Sequence, residues 1–195
     1  DPELYDAAHL WKTNDIEFIA NSATKFGGPV LEMASGTGRL ASPILEKGIN
    51  YTGIELSSSF AKFARKKLEN FGDLSQILEG DIRNINLDQQ FQFIFIGFNS
   101  IFHLLKNEDV ALFLSCVYSH LLDDGLFLID TFVPHPIFLY RAKQKYYVME
   151  FDWPSGGHCI VHETNHYDPD SQINHIHWYF NTSGEYETDE YQFDM

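Results

Sequence analysis

Three carboxylates and two glycines have the types and positions to hold a nucleoside. Glu32 lies inside the apolar run that opens VLEMASGTGRLA (Val30 to Ala41), Gly36 and Gly38 follow it, and Glu55 and Asp81 each close a later apolar run. Glycine tolerates backbone conformations closed to other residues, so Gly36 and Gly38 let the main chain come close to a ligand. A carboxylate at position 55 can accept both hydroxyls of a ribose, and one at position 81 can accept the amino group of adenine. A second set could serve a reacting partner. His103 can take a proton or steer an acceptor, with a capping or packing histidine as the alternative. Tyr140 and Arg141 can bind an acceptor carboxylate or phosphate, or stand as an exposed aromatic and an ordinary surface charge.

These groups need a scaffold that brings strand ends together. Ile16, Ile19, Ala20 and Ala23 recur at helical spacing after Asn14 or Asp15, either of which can cap, and Gly27-Gly28-Pro29 ends that helix. Strands are predicted at Val30 to Met33, Tyr51 to Ile54, Ile77-Leu78, Phe91 to Phe98 and Gly125 to Thr131. The last two are nearly continuous in apolar residues, as strands buried on both faces of a parallel sheet are. Between the strands lie helical stripes: Leu40, Ile44 and Leu45; Phe60 to Phe71 after three serines; and Val110 to Leu121 after Asn107. Alternating strand and helix make a doubly wound, mostly parallel α/β sheet, whose ligands bind at the carboxyl ends of the strands. Glu55, Asp81 and the glycine turn all fall there.

Beyond Pro134-His135-Pro136 the pattern changes to an antiparallel meander: Lys145 to Trp153, His158 to Tyr167, Ile173 to Asn181, and a further strand near Glu187. Five of the nine histidines sit in it. Even spacing puts His158, His162 and His166 on one face of their strand, and His175 with His177 on one face of the next. Histidines four apart on a strand are separated by about 13 Å, so a metal would need both strands in register. A polar wall without metal is the expectation, with Tyr147, Trp153, Trp178 and Phe180 forming the meander's apolar face.

Composition narrows the partners. The 195-residue chain carries 28 acidic against 13 basic residues, a net charge of −15, which repels phosphate backbones and argues against DNA or RNA. With 44% hydrophobic and 15% aromatic residues it can bury a core, yet its apolar runs fall short of the ~20 residues that cross a bilayer. Cys116 and Cys159 are too few for a disulfide framework, and the amino end lacks the order of a secretion signal, so a cytoplasmic location is expected.

In order and spacing, Glu32 to Gly38, Gly53-Ile54-Glu55-Leu56, Gly80-Asp81-Ile82 and Phe98-Asn99-Ser100-Ile101-Phe102-His103 resemble motifs I to IV of class I S-adenosylmethionine (SAM)-dependent methyltransferases. The similarity covers roughly residues 5 to 134. It is greatest to small-molecule enzymes related to glycine and amino-sugar N-methyltransferases, which carry an antiparallel insertion after the fifth strand. The resemblance implies a Rossmann-like fold, SAM as cofactor and S-adenosylhomocysteine as product. It implies that Gly36 and Gly38 approach the methionine part and that Glu32 orients the loop toward the amino group. Glu55 would hold the ribose, Leu56 and Ile82 would sandwich the adenine, and Asp81 would bind its amino group. The Phe98-Asn99 backbone would accept from the ammonium, Tyr5 would close over the cofactor, and Arg39 could reach the SAM carboxylate or be an ordinary first-turn arginine.

Two departures stand out. Ala34 replaces the first glycine of the motif, which is harmless where φ is negative. The helix and two strands with which the family ends have no counterpart before Met195, so the expectation is either a truncated chain, with the terminal strands missing and one sheet edge open, or a fold closed some other way.

A rival pattern is present: Gly36-Thr37-Gly38-Arg39-Leu40-Ala41 fits the dinucleotide fingerprint, with Glu55 17 residues past Gly38 where about 20 is usual. NAD proteins, however, have no use for Glu32 or for Gly80-Asp81. A non-catalytic SAM-binding partner subunit is a third possibility. The expected organisation is one domain: residues 1–134 as the SAM-binding core with an amino-terminal lid containing His9 and Trp11, and residues 135–195 as the acceptor-binding insertion. The expected partner is a small-molecule acceptor methylated on N or O, with the protein a monomer or homodimer.

Overall fold

The apolar runs become strands because their side chains are buried on both faces of a sheet. A computed structural model describes residues 1–152, 156–183 and 189–195; Trp153 and Glu187 lie outside the described residues. The chain begins with α1 (Pro2–His9) and α2 (Ile16–Phe26) and continues with β1 (Val30–Met33), α3 (Ala41–Leu45), β2 (Tyr51–Glu55), α4 (Ser58–Lys67) and β3 (Ser75–Glu79). Then come β4 (Phe91–Ile96), α5 (Asn107–His120) and β5 (Leu121–Ile129). After α6 (Pro136–Leu139) follow β6 (Tyr146–Asp152), β7 (His158–Asp168), β8 (Ile173–Ser183) and β9 (Asp189–Asp194).

Two compact units result. The first comprises Asp1–Pro2, Trp11–Ile101 and Lys106–Thr131; the second takes Glu3–Leu10, Phe102–Leu105 and Phe132–Met195. The antiparallel unit thus draws in α1 and a short segment after β4, both of which lie before residue 134 in the chain.

The first unit holds a parallel sheet in the order β3-β2-β1-β4-β5. All four residues of β1 are buried, and Ile19, Val30, Ile44, Tyr51, Phe93 and Phe95 belong to one core cluster. The order reverses at β1, whose neighbours are β2 and β4, and such a reversal opens a crevice at the strand ends. No helix joins β3 to β4. Instead that connection is clasped to α5: His120 is buried, its Nε2 accepts from the Leu87 N–H at 3.0 Å, and its Nδ1 lies 2.7 Å from the Cys116 carbonyl.

Ala34 corrects an expectation. Its φ is +61°, in the left-handed region, so the missing glycine costs backbone energy after all. An L-residue there costs about 1–2 kcal/mol, partly offset because alanine restricts the unfolded chain more than glycine does. Ala34→Gly should therefore raise the stability of the first unit by about 0.5–1 kcal/mol, read from thermal unfolding.

The second unit holds an antiparallel sheet in the order β6-β7-β8-β9. Along β7 burial alternates, as expected for a sheet with one covered face. Cys159, Val161 and Phe180 form the core of that face, with Leu4 of α1, Val148, Met149, Phe151 and Trp178 packed against them. The histidines occupy the other face, where His166 stands opposite His175 and the two rings stack at 6.4 Å. Carboxylates on neighbouring strands attend them: Asp194 lies 2.6 Å from His175, and Asp152, 3.1 Å from His158, pushes that imidazole's pKa up by hydrogen bonding. Among the described residues no three His, Cys, Asp or Glu side chains are grouped to hold a metal ion.

Candidate nucleoside site at the strand ends

The first unit gathers the twelve sequence-selected residues that line its strand ends: Glu32, Ala34, Gly36, Gly38, Arg39, Glu55, Leu56, Gly80, Asp81, Ile82, Phe98 and Asn99. The turn after β1 is built by backbone conformation, with Gly36 at φ +57° and Gly38 at +73°. It crosses close above β2, where the Ser35 N–H donates to the Ile54 carbonyl at 2.8 Å. Gly53 makes the crossing possible, because a Cβ there would lie 2.7 Å from Ser35 Oγ.

Glu55 staples this turn to the next helix. Its Oε2 accepts from the Gly36 N–H and its Oε1 from the Ser57 N–H, each at 2.8 Å. A carboxylate offers about four acceptor positions, so both oxygens keep capacity for a ligand's hydroxyls. Beside it Leu56 is 69% exposed, an apolar face at a strand end.

Glu32 is buried and accepts from the Tyr51 hydroxyl across the β1–β2 pair. Burial raises its carboxyl pKa to about 8, against the opposing pull of the Tyr51 hydrogen bond and the Arg39 charge. Burial and the neighbouring Glu32 likewise push the Tyr51 phenol up. The sign of the linkage is fixed: with the folded value above the unfolded one of about 4.5, the neutral buried carboxyl contributes stability that is full below pH 4.5 and is lost as pH rises to about 8. Glu32→Gln should flatten the decline of stability over that window, measured by urea unfolding at a series of pH values.

Arg39 is bound within the protein. Its fork pairs with Asp15 at 2.9 and 2.7 Å, Nη1 also donates to the Lys12 carbonyl, and the guanidinium lies 5.2 Å from the Phe98 ring centroid. Burial pushes the Asp15 carboxyl up, but the Arg39 hydrogen bonds and charge outweigh it and the net shift is downward. Arg39 thus braces the turn, using donors that one of the two sequence readings directs to a ligand carboxylate. Asp15 precedes α2 but makes no side-chain cap, since its carboxylate serves Arg39 instead.

Asp81 receives Arg83, which also reaches Asp109 in the first turn of α5. The Arg83 hydrogen bonds hold the Asp81 carboxyl below its usual range. After β4, Phe98 and Asn99 have φ of +48° and +64°. Asp130 pins them, its side chain accepting from the Phe98 N–H and its carbonyl from the Asn99 N–H, each at 3.1 Å. Tyr51, Arg83, Asp109 and Asp130 escaped the sequence analysis. Arg83, two residues past Asp81, and Asp130, at the end of the fifth strand, had positions that could have marked them.

Tyr5, His103, Tyr140 and Arg141 fall in the second unit. Tyr5 lies on α1 with its ring 4.2 Å from that of His9. His103 is exposed, its ring 6.4 Å from Phe193. Tyr140 is 65% exposed and meets Tyr167 edge to face. Arg141 is engaged: it donates to Glu163 and Asn165, and its guanidinium lies 4.8 and 4.3 Å from the Phe138 and Tyr146 rings. Trp178 Nε1 donates to the other Glu163 oxygen at 2.5 Å. The unit also has a recess of about 200 Å³ whose walls include Phe102, Phe132, Phe138, Tyr167 and Asn174. Asn174 is buried and its Nδ2 has no hydrogen-bond partner among the described residues.

Residues 30–125 match the model of a methyltransferase domain family. That stretch is similar to a methyltransferase domain, and the sheet order is that of the class I, Rossmann-like methyltransferase fold. Over 104 residues it is 33% identical to the putative methyltransferase YqeM of Bacillus subtilis (strain 168), a match covering 53% of this chain and 42% of that protein. Among solved structures, the CcbJ methyltransferase from Streptomyces caelestis is similar with a TM-score of 0.77 at 19% identity, covering 97% of this chain and 78% of that one. SAM-bound CalS10, an amino pentose methyltransferase from Micromonospora echinaspora, gives 0.76 at 14% identity, covering 98% and 80%. The parallel sheet order and the antiparallel sheet that follows it belong to a fold shared with these proteins. The chain spans about half the length of the curated relatives it matches. Among its described residues no helix is long and apolar enough to cross a membrane.

Proposed function

We propose that the protein binds SAM at the carboxyl ends of β1 to β4 and transfers its methyl group to N or O of a small-molecule acceptor, releasing S-adenosylhomocysteine. The observation that carries this reading is the convergence in one unit of the left-handed turn at Gly36 and Gly38 with Glu32, Glu55 and Asp81 at successive strand ends. In this reading Glu55 takes the ribose hydroxyls, Asp81 the adenine amino group, and Leu56 and Ile82 the adenine faces. Gly36, Gly38 and the Phe98-Asn99 carbonyls surround the methionine part, with Ala34 in the turn and Gly80 freeing the approach to Asp81. Tyr5 covers the cofactor. A bound ammonium favours the ionised form of Glu32, so cofactor binding releases a proton from it.

Methyl transfer from a sulfonium is an in-line displacement on a carbon already activated by charge, so alignment supplies most of the catalysis. The acceptor loses a proton, and His103, exposed in the second unit, is the proposed base. The aromatic recess with its buried Asn174 amide suits a ring-sized acceptor with one polar atom. That CalS10 acts on an amino pentose supports a small, amine-bearing acceptor. The net charge of −15 supports a partner other than nucleic acid, and the two cysteines support a cytoplasmic setting.

Calorimetric titration with S-adenosylhomocysteine, with NAD in parallel, tests the proposal. Binding of the first alone is expected; binding of NAD alone, or of neither by folded protein, overturns it. With an acceptor in hand, His103→Ala should lower turnover about 10²-fold or more with little change in cofactor affinity. Equal losses in both would mark His103 as a packing residue.

A further inference from the structure

We propose that Arg83 is a positioning residue that sets base specificity, by holding Asp81 as an acceptor-only carboxylate that takes a purine with an amino group at its 6-position and rejects the 6-oxo base. The inference rests on the assignment of Asp81 to the base of SAM. Arg83 approaches Asp81 along one side. Its backbone N–H and Nε donate to Oδ1 at 2.9 and 3.0 Å, Nε also lies 3.1 Å from Oδ2, and Nη2 donates to Oδ2 at 2.6 Å. The turn closed by the Asn84 N–H on the Asp81 carbonyl, at 2.9 Å, sets these two residues side by side. The far end of the guanidinium is anchored by Nη1 on Asp109 at 2.8 Å, so Arg83 cannot swing away without breaking a second ion pair.

Two consequences follow for the base. Three N–H groups of Arg83 occupy three of the roughly four acceptor positions of a carboxylate, leaving room for one more donor. An exocyclic amino group supplies that donor. The three N–H donors and the positive charge of Arg83 favour the ionised carboxylate, so the remaining position accepts an amino group and repels a 6-oxo oxygen. The ion pairs themselves are partly exposed, the Arg83 and Asp81 side chains being 38% and 32% accessible, so their value lies in geometry more than in stability.

The test compares S-adenosylhomocysteine with S-inosylhomocysteine, its 6-oxo counterpart, by calorimetric titration. Wild-type protein should prefer the adenosyl compound by about 10- to 100-fold. In Arg83→Gln that ratio should collapse to within about threefold, because the Asp81 carboxylate loses its fixed orientation, with adenosyl binding weakened about tenfold and its loss on acidification moved up toward the ordinary carboxylate range. Arg83→Lys keeps the charge without the fork and should fall between, as should Asp109→Asn, which releases the far anchor; these two variants carry the test if the glutamine variant does not fold. An unchanged base preference in the Arg83 variants, even with lower affinity, would reduce Arg83 to a structural link and overturn the proposal alone. Wild-type protein that binds neither compound would overturn the SAM assignment beneath it.

Discussion

Replacing Glu55 with alanine should weaken S-adenosylhomocysteine binding by about 100-fold, and SAM binding to the same extent, because both contain the ribose. Two hydrogen bonds to a charged acceptor, at about 1.5 kcal/mol each, the low end of the usual range, come to about 3 kcal/mol, which is a little over 100-fold in affinity. The same substitution also removes the acceptor of the Gly36 and Ser57 N–H groups, so the turn loosens as the ribose contact is lost. Glu55→Gln is not a gentle control. Its amide nitrogen must face one of those two N–H groups, donor against donor, so an affinity loss of about tenfold is expected with only one acceptor remaining. Calorimetry on the two variants beside wild type reads both effects. Unchanged affinity in Glu55→Ala would remove the ribose assignment.

The second large effect is on stability. Arg141→Ala should cost about 3–5 kcal/mol, because it leaves the Glu163 carboxylate buried without its cation. The side chains of Arg141 and Glu163 are only 15% and 8% accessible. Trp178 donates to the same carboxylate and so reports the loss through its fluorescence during urea unfolding. Removing both partners, as Arg141→Met with Glu163→Leu, should recover much of the loss, since a buried ion pair is often matched by apolar residues of similar volume. If Arg141→Ala unfolds like wild type but raises KM for the acceptor, Arg141 is instead an acceptor-binding group whose contacts with Glu163 contribute little.

The two sheets were legible to different depths. In the first unit each predicted strand appears, because strands buried on both faces declare themselves as apolar runs: Phe91–Ile96 is flanked by β1 and β5 and covered on both sides. Boundaries moved where a tertiary partner intervened. The fourth strand stops at Ile96 rather than Phe98, because Phe98 and Asn99 turn into left-handed conformations against Asp130. The fifth begins at Leu121 rather than Gly125, extending along β4 past an irregularity in register. In the meander, the even spacing of His158, His162 and His166 correctly put them on one face, opposite His175 and His177 of the next strand's same side.

Positions in the chain determined which residues reach the strand ends, since apolar periodicity and glycine placement act locally: Glu55, Asp81, Gly36 and Gly38 lie there because their strands stop at or just before them. What those side chains do to one another was decided by folding. By sequence Arg39 is open between a ligand contact and an ordinary first-turn arginine, and it pairs with Asp15, 24 residues away; Arg141 is open between an acceptor clamp and a surface charge, and it is enclosed by Glu163, Asn165 and two aromatic rings. Ala34 looked tolerable and is left-handed. The resemblance marks Glu32 as the acid that orients the turn, but its pKa of about 8 comes from burial beside Tyr51, which only folding supplies. Hydrogen bonds and desolvation depend on neighbours distant along the chain, and periodicity within a few residues carries no record of them.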